Sequence, residues 1–333
     1  MATRLGSVIR AATRRAGERL NILTFPSHEP YECMLARTGH QFWALGGTDI
    51  REWNPQCRAM PANYVQLDRS RGDDQLPPGE DFDLILSHHR QGQFQMAARL
   101  ASLLDIPHVS IEHTLPRPQA SPRYLALVRE LKASVNLFIS EYNREQWGWL
   151  PDEARVIPHG IDTDLFSPGE NPREPIILSC VNDLKNRDWC CGYSLWSRVS
   201  QGLPVRLRGN NPGLSTGTQS VEELIQEYRR AAIYLNTSIH SPVPMAVLEA
   251  MSCGCALVTT ATCMMPEFIK QGMNGYITNN EGEMREYLQH LLSHPGECDR
   301  LGQAARQTIQ ERFAPEAFLQ RWQDVFKEVA PAY

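Results

Sequence analysis

Short apolar segments alternate with amphipathic helical patterns along this chain, and this alternation constrains the fold more than any other feature. Strands that alternate with helices predict parallel βαβ units, and therefore an open, doubly wound α/β sheet. In the first half, the predicted strands are NILTFP (21–26), GHQFWAL (39–45), DLILSHH (83–89), PHVSIEH (107–113) and VNLFISE (135–141), and the predicted helices include QFQMAARLASLLD (93–105) and PRYLALVRELKAS (122–134).

The alternation stops once and then restarts. Residues 155–175, RVIPHGIDTDLFSPGENPREP, are rich in Pro, Gly and Asp and have no helical periodicity, which is typical of an interdomain hinge. Beyond them, IILSCV, VRLRG, AIYLNTS and ALVTT predict strands, and VEELIQEYRRA and MAVLEAMSC predict helices between them. A length of 333 residues also suits two domains.

We therefore predict two Rossmann-like domains that face each other across a cleft. The first covers residues 21–165 and the second covers residues 166–313. Residues 314–333 are predicted to form a closing helix that packs back towards the first domain. Because open α/β sheets bind ligands at the carboxyl ends of their strands, polar residues that follow predicted strands are the site candidates.

The composition excludes several classes of protein. A net charge of −5 argues against a dedicated nucleic-acid binder, although a nucleic-acid substrate held in a local groove stays open. Nine cysteines, an odd number without framework spacing, indicate a reducing compartment, and we expect a cytoplasmic protein. Cys190-Cys191 and Cys253-x-Cys255 lack a second pair at zinc-site spacing, so we expect no metal. No apolar run approaches the roughly 18 residues of a membrane span.

Residues 1–20 form a separate basic segment with five arginines and one glutamate. Its apolar residues recur at helical spacing, and its arginines lie mostly off that stripe. Two interpretations stay open. In the first, the segment is a basic amphipathic helix, which contacts an anionic membrane or resembles a transit peptide. In the second, it is an ordinary N-terminal helix with a solvated face.

One carboxylate, Glu249, lies within the apolar helical pattern MAVLEAMSC. Pro244 suits the first turn of a helix and Gly254 the residue after its end, which predicts a helix over residues 245–253. The amides of residues 245–247 and the helix dipole would then form an anion site. A buried carboxylate needs a partner, and the local sequence leaves two open: a ribose with vicinal hydroxyls or an arginine.

Four segments resemble one known family when they are taken in order. PMAVLEAMSCGCALVTT (244–260) and MPEFIKQGMNGYI (265–277) are similar to the donor-binding signature of retaining GT-B glycosyltransferases of the family 4 type. VIPHGIDTDLFSP (156–168) resembles the interdomain linker of that family, and GHQF (39–42) resembles its N-terminal Gly-His motif. The resemblance implies a GT-B fold over most of residues 21–330.

The resemblance assigns a donor site to the second domain. In the family, a Glu-x7-Glu motif spans the helix, and its second Glu, here Glu249, binds the nucleotide ribose; Ser241 replaces the first. The diphosphate clamp is an Arg followed five residues later by a Lys, and here these positions are Asn182 and Arg187, with Lys185 nearby. The implied donor-binding residues are Asn182, Lys185, Arg187, Gly209, Ser241, Pro244, Met245, Ala246, Glu249 and Glu267.

The first domain carries the acceptor candidates. His113 matches the family histidine that lies beside the donor sugar, and His88 and His89 end the preceding predicted strand. The Gly-Gly loop of the family is replaced by PSHEPYECMLART (26–38), which we expect to be a loop facing the acceptor. Its candidate residues are His28, Glu29 and Tyr31.

The implied activity is transfer of a sugar from a nucleoside-diphosphate donor to a glycan, lipid or other small acceptor, with retention of configuration. His113, Arg187 and Glu249 are the implied catalytic residues, the leaving diphosphate accepts the proton, and neither metal nor cofactor is needed. Three alternatives stay open. They are a protein that binds nucleotide sugar or glycan without turnover, a GT-B epimerase, and a transferase whose acceptor is nucleic acid held by the N-terminal arginines.

Overall fold

The computed structural model describes residues 4–47, 50–68, 70–71 and 75–331. The chain divides into unit 1, which contains Met1–Pro158 and Glu316–Tyr333, and unit 2, which contains His159–Pro315. Residues 1–3 of the predicted N-terminal segment and residues 332–333 of the predicted closing segment lie outside the described residues.

Unit 1 contains a seven-stranded parallel sheet with helices around it. Its strands are β1 (Asn21–Thr24), β2 (Gln41–Ala44), β3 (Tyr64–Gln66), β4 (Leu84–Ser87), β5 (His108–Glu112), β6 (Val135–Phe138) and β7 (Arg155–Val156). Its helices are α1 (Arg4–Thr13), α2 (Glu29–Ala36), α3 (Gln93–Leu104), α4 (Pro122–Arg129), α5 (Glu141–Gln146) and the closing helix α13 (Pro315–Val329). The predicted α/β class is confirmed.

The strand order of unit 1 places a switch point at its centre. The order is β3-β2-β1-β4-β5-β6-β7, so the chain builds outward from β1 on one side and then from β4 on the other. The connections from β1 and from β4 leave the sheet in opposite directions, which opens a crevice at the carboxyl ends of these two strands. The residues that follow β1 and β4 are therefore the ones that meet there.

The closing helix α13 completes the core of unit 1. Phe318, Trp322, Val325 and Phe326 are buried in one apolar cluster with residues of the sheet. Trp322 is fully buried, and its Nε1 donates to the hydroxyl of Tyr31 at 3.0 Å. The last helix of the chain thus supports the segment that follows β1.

The segment after β1 is a helix, so the predicted loop over residues 26–38 is wrong. Pro30 suits the first turn of α2, and the Glu32 carboxylate accepts the backbone N–H groups of Ser27 and His28. These two bonds reach back over the start of the helix, in the manner of a capping box. Glu29 and Tyr31 are buried, so the segment is not a solvated loop either.

Arg10 of helix α1 and Arg14, which follows the helix, turn towards the protein. Arg14 is buried and pairs with Asp83, and Arg10 also donates to Asp83 at 2.8 Å. Leu5 and Ile9 are instead 68% and 54% exposed. The predicted separation of an apolar face from a solvated basic face is therefore wrong for Arg10 and Arg14, because Asp83 supplies a buried carboxylate between them.

Unit 2 repeats the architecture with a five-stranded parallel sheet. Its strands are β8 (Glu174–Cys180), β9 (Val205–Arg208), β10 (Ala231–Asn236), β11 (Ala256–Thr259) and β12 (Tyr276–Ile277). Its helices are α6 (Asp188–Cys191), α7 (Tyr193–Ser200), α8 (Val221–Arg230), α9 (Met245–Ser252), α10 (Met265–Phe268), α11 (Glu281–Ser293) and α12 (Pro295–Arg312). The order β12-β11-β10-β8-β9 puts the switch point between β8 and β10.

We predict that Trp322→Ala destabilises unit 1 by roughly 3–5 kcal/mol, because it removes a fully buried indole and leaves a cavity beneath Tyr31. Equilibrium urea unfolding, followed separately for the two units, measures the change. Trp189→Ala, at an exposed tryptophan of unit 2, is the matched control and should leave unit 1 unchanged. Equal stability of unit 1 in wild type and Trp322→Ala would contradict this role for α13.

Candidate functional site

Helix α9 begins and ends where its proline and glycine predict. Pro244 is the N-cap with extended backbone, and the helix runs to Ser252 with Cys253 as its C-cap. Gly254 has φ +82, the left-handed conformation that ends a helix at low cost. One detail of the predicted anion site is wrong: the amide of Val247 donates to Pro244 O at 3.0 Å.

Glu249 lies one turn inside α9 and is 4% exposed. Its Oε2 accepts the hydroxyl hydrogen of Tyr228, on α8, at 3.0 Å. Burial raises the pKa of Tyr228 well above its ordinary value, so this phenol stays protonated and donates. One partner of the carboxylate is thus a hydroxyl group, the same kind of donor that a ribose offers.

Two arginines fix the far end of α9. Arg173 donates to Cys253 O and, through Nη1, to Ala231 O at 2.7 Å. Arg306 donates to Ser252 O at 2.6 Å. Cations at a helix C-terminus are favourable because they complement the helix dipole. These bonds hold α9 so that its N-terminus lies at the carboxyl edge of the unit 2 sheet.

The segment after β8 supplies exposed cations at the same switch point. Lys185 and Arg187 are both exposed, and Arg187 is the N-cap of α6. Asn182, the third predicted member of the clamp, is used differently: its Oδ1 accepts the N–H of Asn210 at 2.8 Å. This bond holds the turn after β9 against the end of β8.

Gly209 occupies that turn because no side chain fits there. Its φ is +119, and an added Cβ would lie 2.0 Å from Val181 O. Gly209, a predicted donor residue, therefore lets the ends of β8 and β9 lie close together, because it has no side chain between the two backbones.

Helix α6 joins the cations to the loop that precedes α9. Cys190 O accepts the N–H groups of Ile239 and His240 at 2.9 and 3.1 Å, and Thr237 Oγ1 donates to Cys191 O at 3.1 Å. The loop ends in Ser241, which is half-buried, and Pro244. Hydrogen bonds therefore join the helix that follows the predicted clamp to the loop that leads into α9.

Glu267 lies further along the chain than α6 and the loop before α9, on the short helix that follows β11. It is exposed on the short helix α10, and its carbonyl accepts from Arg312 Nη1 at 2.7 Å. Its donor-binding role stays a prediction.

In unit 1 the switch point holds a cluster of histidines. His88 and His89 follow β4, and His113 follows β5. His88 Nδ1 is 3.1 Å from His113 Nε2, and His88 Nε2 is 3.1 Å from Thr24 Oγ1 at the end of β1. Ser27 Oγ is 2.7 Å from His89 Nε2. The structure thus brings together three of the predicted residues.

Sequence reasoning missed Glu112, the last residue of β5. It is buried, and its carboxylate lies 3.5 Å from His89 Nδ1. Burial alone raises its pKa, but hydrogen bonds from His89, the Arg90 N–H and Thr114 lower the pKa of Glu112 below its ordinary value. The signal that would have found it is the one that singled out Glu249, a single carboxylate in an apolar segment.

The other acceptor candidates, Tyr31, Glu29 and His28, have different environments in the structure. Tyr31 packs edge-on against His113, with ring centroids 4.6 Å apart, and so belongs to the cluster. Glu29 instead pairs with Arg51 and accepts the N–H of Asn54. Burial, together with the charges of Arg51, Arg58 and His89, lowers the pKa of His28 to about 4.

Within the described residues, no group of three or more His, Cys, Asp or Glu side chains has a metal-binding arrangement. None of the helices in this part of the chain is long and apolar enough to cross a bilayer.

Two family models match the chain, one in each half. Residues 13–165 match the model described as Glycosyltransferase Family 4, and residues 214–308 match Glycosyl transferases group 1. The chain is 23% identical over 295 residues to alpha-maltose-1-phosphate synthase of Mycobacterium tuberculosis, covering 70% of this chain and 76% of that protein.

Solved structures share the fold of both halves. Alr3699/HepE from Anabaena, in complex with UDP, has a TM-score of 0.72 at 14% identity and covers 93% of this chain and 100% of its own. Sucrose-phosphate synthase from Thermosynechococcus elongatus has a TM-score of 0.70 at 17% identity, covering 95% and 100%. The fold of the chain is therefore the GT-B fold.

We predict that acid weakens unit 1 partly through His88. Burial, aided by His89 and His28, lowers the pKa of His88 to about 3 from an ordinary 6.5. The unfolded chain therefore binds a proton that the folded unit does not, and the contribution of His88 to stability, complete above pH 6.5, is lost as the pH falls towards 3.

Between pH 7 and pH 5 this loss amounts to about 2 kcal/mol, and His88→Gln should remove it. Urea unfolding of unit 1 at the two pH values measures the difference. His294→Gln, at an exposed histidine of unit 2, is the control. The prediction fails when His88→Gln and wild type lose the same stability between the two pH values.

Proposed function

The chain is a GT-B protein related in both halves to glycosyltransferases, and we propose that it transfers a sugar from a nucleoside-diphosphate donor to a hydroxyl group of an acceptor, with retention of configuration. The family models and the named relatives support sugar transfer. Crystals of Alr3699/HepE with UDP and with UDP-glucose support a nucleotide-sugar donor.

One observation carries the donor site. Lys185 and Arg187 are exposed just before α6, and α6 is hydrogen-bonded to the loop that leads into α9 at the switch point of unit 2. A diphosphate is the ligand that such a site suits, because arginine pairs with it bidentately and a helix N-terminus attracts anions. These groups would stabilise the charge of the leaving diphosphate. In this proposal, the helix dipole and the cationic side chains take the place of a metal ion.

Glu249 gives the site its specificity for a nucleotide in this proposal. Its carboxylate accepts a hydroxyl hydrogen from Tyr228, and a ribose would offer it hydroxyl groups of the same kind. Met245 and Ala246, at the start of α9, would contact the phosphates, and Gly209 shapes the neighbouring turn.

The acceptor would bind in unit 1 at the histidine cluster. His113, His88 and His89 lie at the carboxyl ends of adjacent strands, where open α/β sheets bind ligands. A glycan or another polyhydroxylated molecule fits the hydrogen-bonding groups of these side chains. The contact of His113 with the transferred sugar, implied by the family resemblance, is part of this proposal.

A second candidate function is binding of a nucleotide sugar without turnover. Ser241 replaces a family carboxylate, and the side chain of Asn182 binds the turn after β9 instead of a phosphate. Both departures fall on the donor side. Donor binding without nucleotide release or transfer would favour this candidate.

The N-terminal helix supports membrane contact better than contact with nucleic acid. Arg10 and Arg14 pair with Asp83, which removes them from a phosphate backbone. Leu5 and Ile9 are exposed, and Arg15 and Arg19 are exposed after the helix. An anionic membrane surface matches this combination.

We predict that the wild-type protein co-sediments with vesicles that contain anionic lipid, and that Ile9→Ser co-sediments less. Equal co-sedimentation of the two proteins would contradict the membrane contact.

We predict that a thermal-shift panel of UDP, GDP, ADP and their sugar conjugates identifies the donor. A ligand at 100 times its dissociation constant stabilises the protein by about 2.7 kcal/mol, which is readily measured. Glu249→Ala should lose the shift, and Arg187→Ala should reduce it because the diphosphate loses its bidentate partner.

Arg198→Ala is the matched control, because Arg198 is an exposed arginine on α7 that pairs with Glu281. It should respond as wild type does. If no nucleotide shifts the wild-type protein, the proposed donor site is wrong.

A further inference from the structure

A cavity of about 330 Å³ lies in unit 1, at the edge of the sheet opposite the histidine cluster. Its walls come from helix α1, from Phe82 and Asp83 before β4, from residues 105–107 before β5, and from the end of α13. Because β4 and β5 are parallel neighbours, residues that precede them lie at the amino edge of the sheet, whereas the histidines follow these strands at its carboxyl edge. The cavity is therefore separate from the candidate acceptor site, and its volume lies within the roughly 300–1,000 Å³ of small-molecule sites.

The cavity offers a ligand mainly apolar surface. Most of its described lining residues are apolar, among them Val8, Ala12, Phe82, Ile106 and Val329. The buried pair Arg14 and Asp83 also lines it, but these two charges match each other, since Arg14 Nη2 lies 2.5 Å from Asp83 Oδ1. Arg14 Nη1 donates to Pro331 O at 3.1 Å. A ligand therefore gains most here by removing apolar surface from water, as an alkyl chain does.

Helix α1 leaves an apolar stripe beside this cavity. Leu5, Val8 and Ile9 are exposed, whereas Arg14 is buried. Residues 5, 8, 9 and 12 share one helical face, and a surface helix normally turns such a face towards the core. The buried ion pair draws the basic side inward instead. Val8 and Ala12 belong both to the stripe and to the cavity lining, so the stripe and the cavity form one apolar surface, and such a surface indicates a binding site.

Charges around the cavity indicate which kind of apolar molecule binds. Arg15 and Arg19 are exposed after α1 and attract an anionic group outside the cavity. Asp105 lines the cavity and is exposed, and its negative charge disfavours an anionic group inside. A molecule with an apolar chain inside and an anionic head outside satisfies both conditions. An anionic lipid has these two parts.

We propose that this cavity binds one acyl chain of an anionic membrane lipid, with the head group near Arg15 and Arg19. The inference rests on the membrane contact proposed above and gives that contact a specific site. Leu5 and Ile9 lie in the membrane interface, and one chain enters the cavity beside Val8 and Ala12. Each methylene that the cavity buries adds to the affinity for the membrane.

The first test is isothermal titration of the whole protein with octyl, decyl and dodecyl phosphate, each below its micelle concentration. Each added methylene should tighten binding by about fourfold, the factor that corresponds to ~0.8 kcal/mol. Inorganic phosphate should not bind, because it lacks the chain. Decanol should bind more weakly than decyl phosphate, because it lacks the charge.

The second test fills the cavity without making α1 more polar. Ala11 and Ala12 both line the cavity, and the double variant Ala11→Leu/Ala12→Leu should weaken binding of decyl phosphate by at least about tenfold, since leucine side chains occupy the volume of several methylenes. The same variant should co-sediment less with anionic vesicles. A helix face that acts alone would instead bind vesicles as well as wild type or better, because the variant is more apolar.

Ala126→Leu is the matched control, because Ala126 is an exposed alanine on α4 that does not line the cavity. It should bind decyl phosphate and vesicles as wild type does. Ile9→Ser should lose vesicle binding and keep the affinity for decyl phosphate, since Ile9 lies outside the cavity lining.

The outcomes separate the cavity from the membrane contact on which it rests. Failure of wild type to bind alkyl phosphates, equal binding by the filled variant, or equal binding of inorganic phosphate would each overturn the acyl-chain site and leave the membrane contact standing. Binding of alkyl phosphates by a wild-type protein that does not co-sediment with vesicles would contradict the membrane contact and overturn a membrane lipid as the ligand.

Discussion

The structure depends on one topological constraint, the reversal of strand order in each parallel sheet. In unit 1 the reversal falls between β1 and β4, and in unit 2 between β8 and β10. Chain segments that leave these strands diverge, and their first residues lie where open α/β sheets bind ligands. Polar groups there must find partners, and the bonded pairs Ser27–His89 and Glu249–Tyr228 are the results.

The two crevices are supported by elements far away in the sequence. In unit 1, Trp322 on the closing helix holds Tyr31, which packs against His113. In unit 2, Arg173 and Arg306 bind the carbonyls at the end of α9 and so set the position of its start. Side chains that bind substrate need such supports, because a displacement of about 1 Å can cost a hundredfold in rate.

The sequence predicts the parts of this account that depend on local chemistry. Pro244 and Gly254 mark the ends of α9 because each residue has a strong backbone preference, and Glu249 stands out by its apolar neighbours. Helix α2 was missed because the burial of Tyr31 on it depends on Trp322, 291 residues away. The inward turn of Arg14 was missed for the same reason, since its partner Asp83 lies 69 residues along the chain.

The central claim is that unit 2 binds the nucleotide at its switch point, between the segment after β8 and the start of α9. Hydrogen–deuterium exchange with and without UDP tests it most directly, because a bound diphosphate slows exchange of the amides that it contacts or orders. The account predicts protection of residues 181–192 and 237–250, which form the bonded structure of α6 and the loop before α9. Protection confined to unit 1, or to β12 and α11 in unit 2, would contradict it.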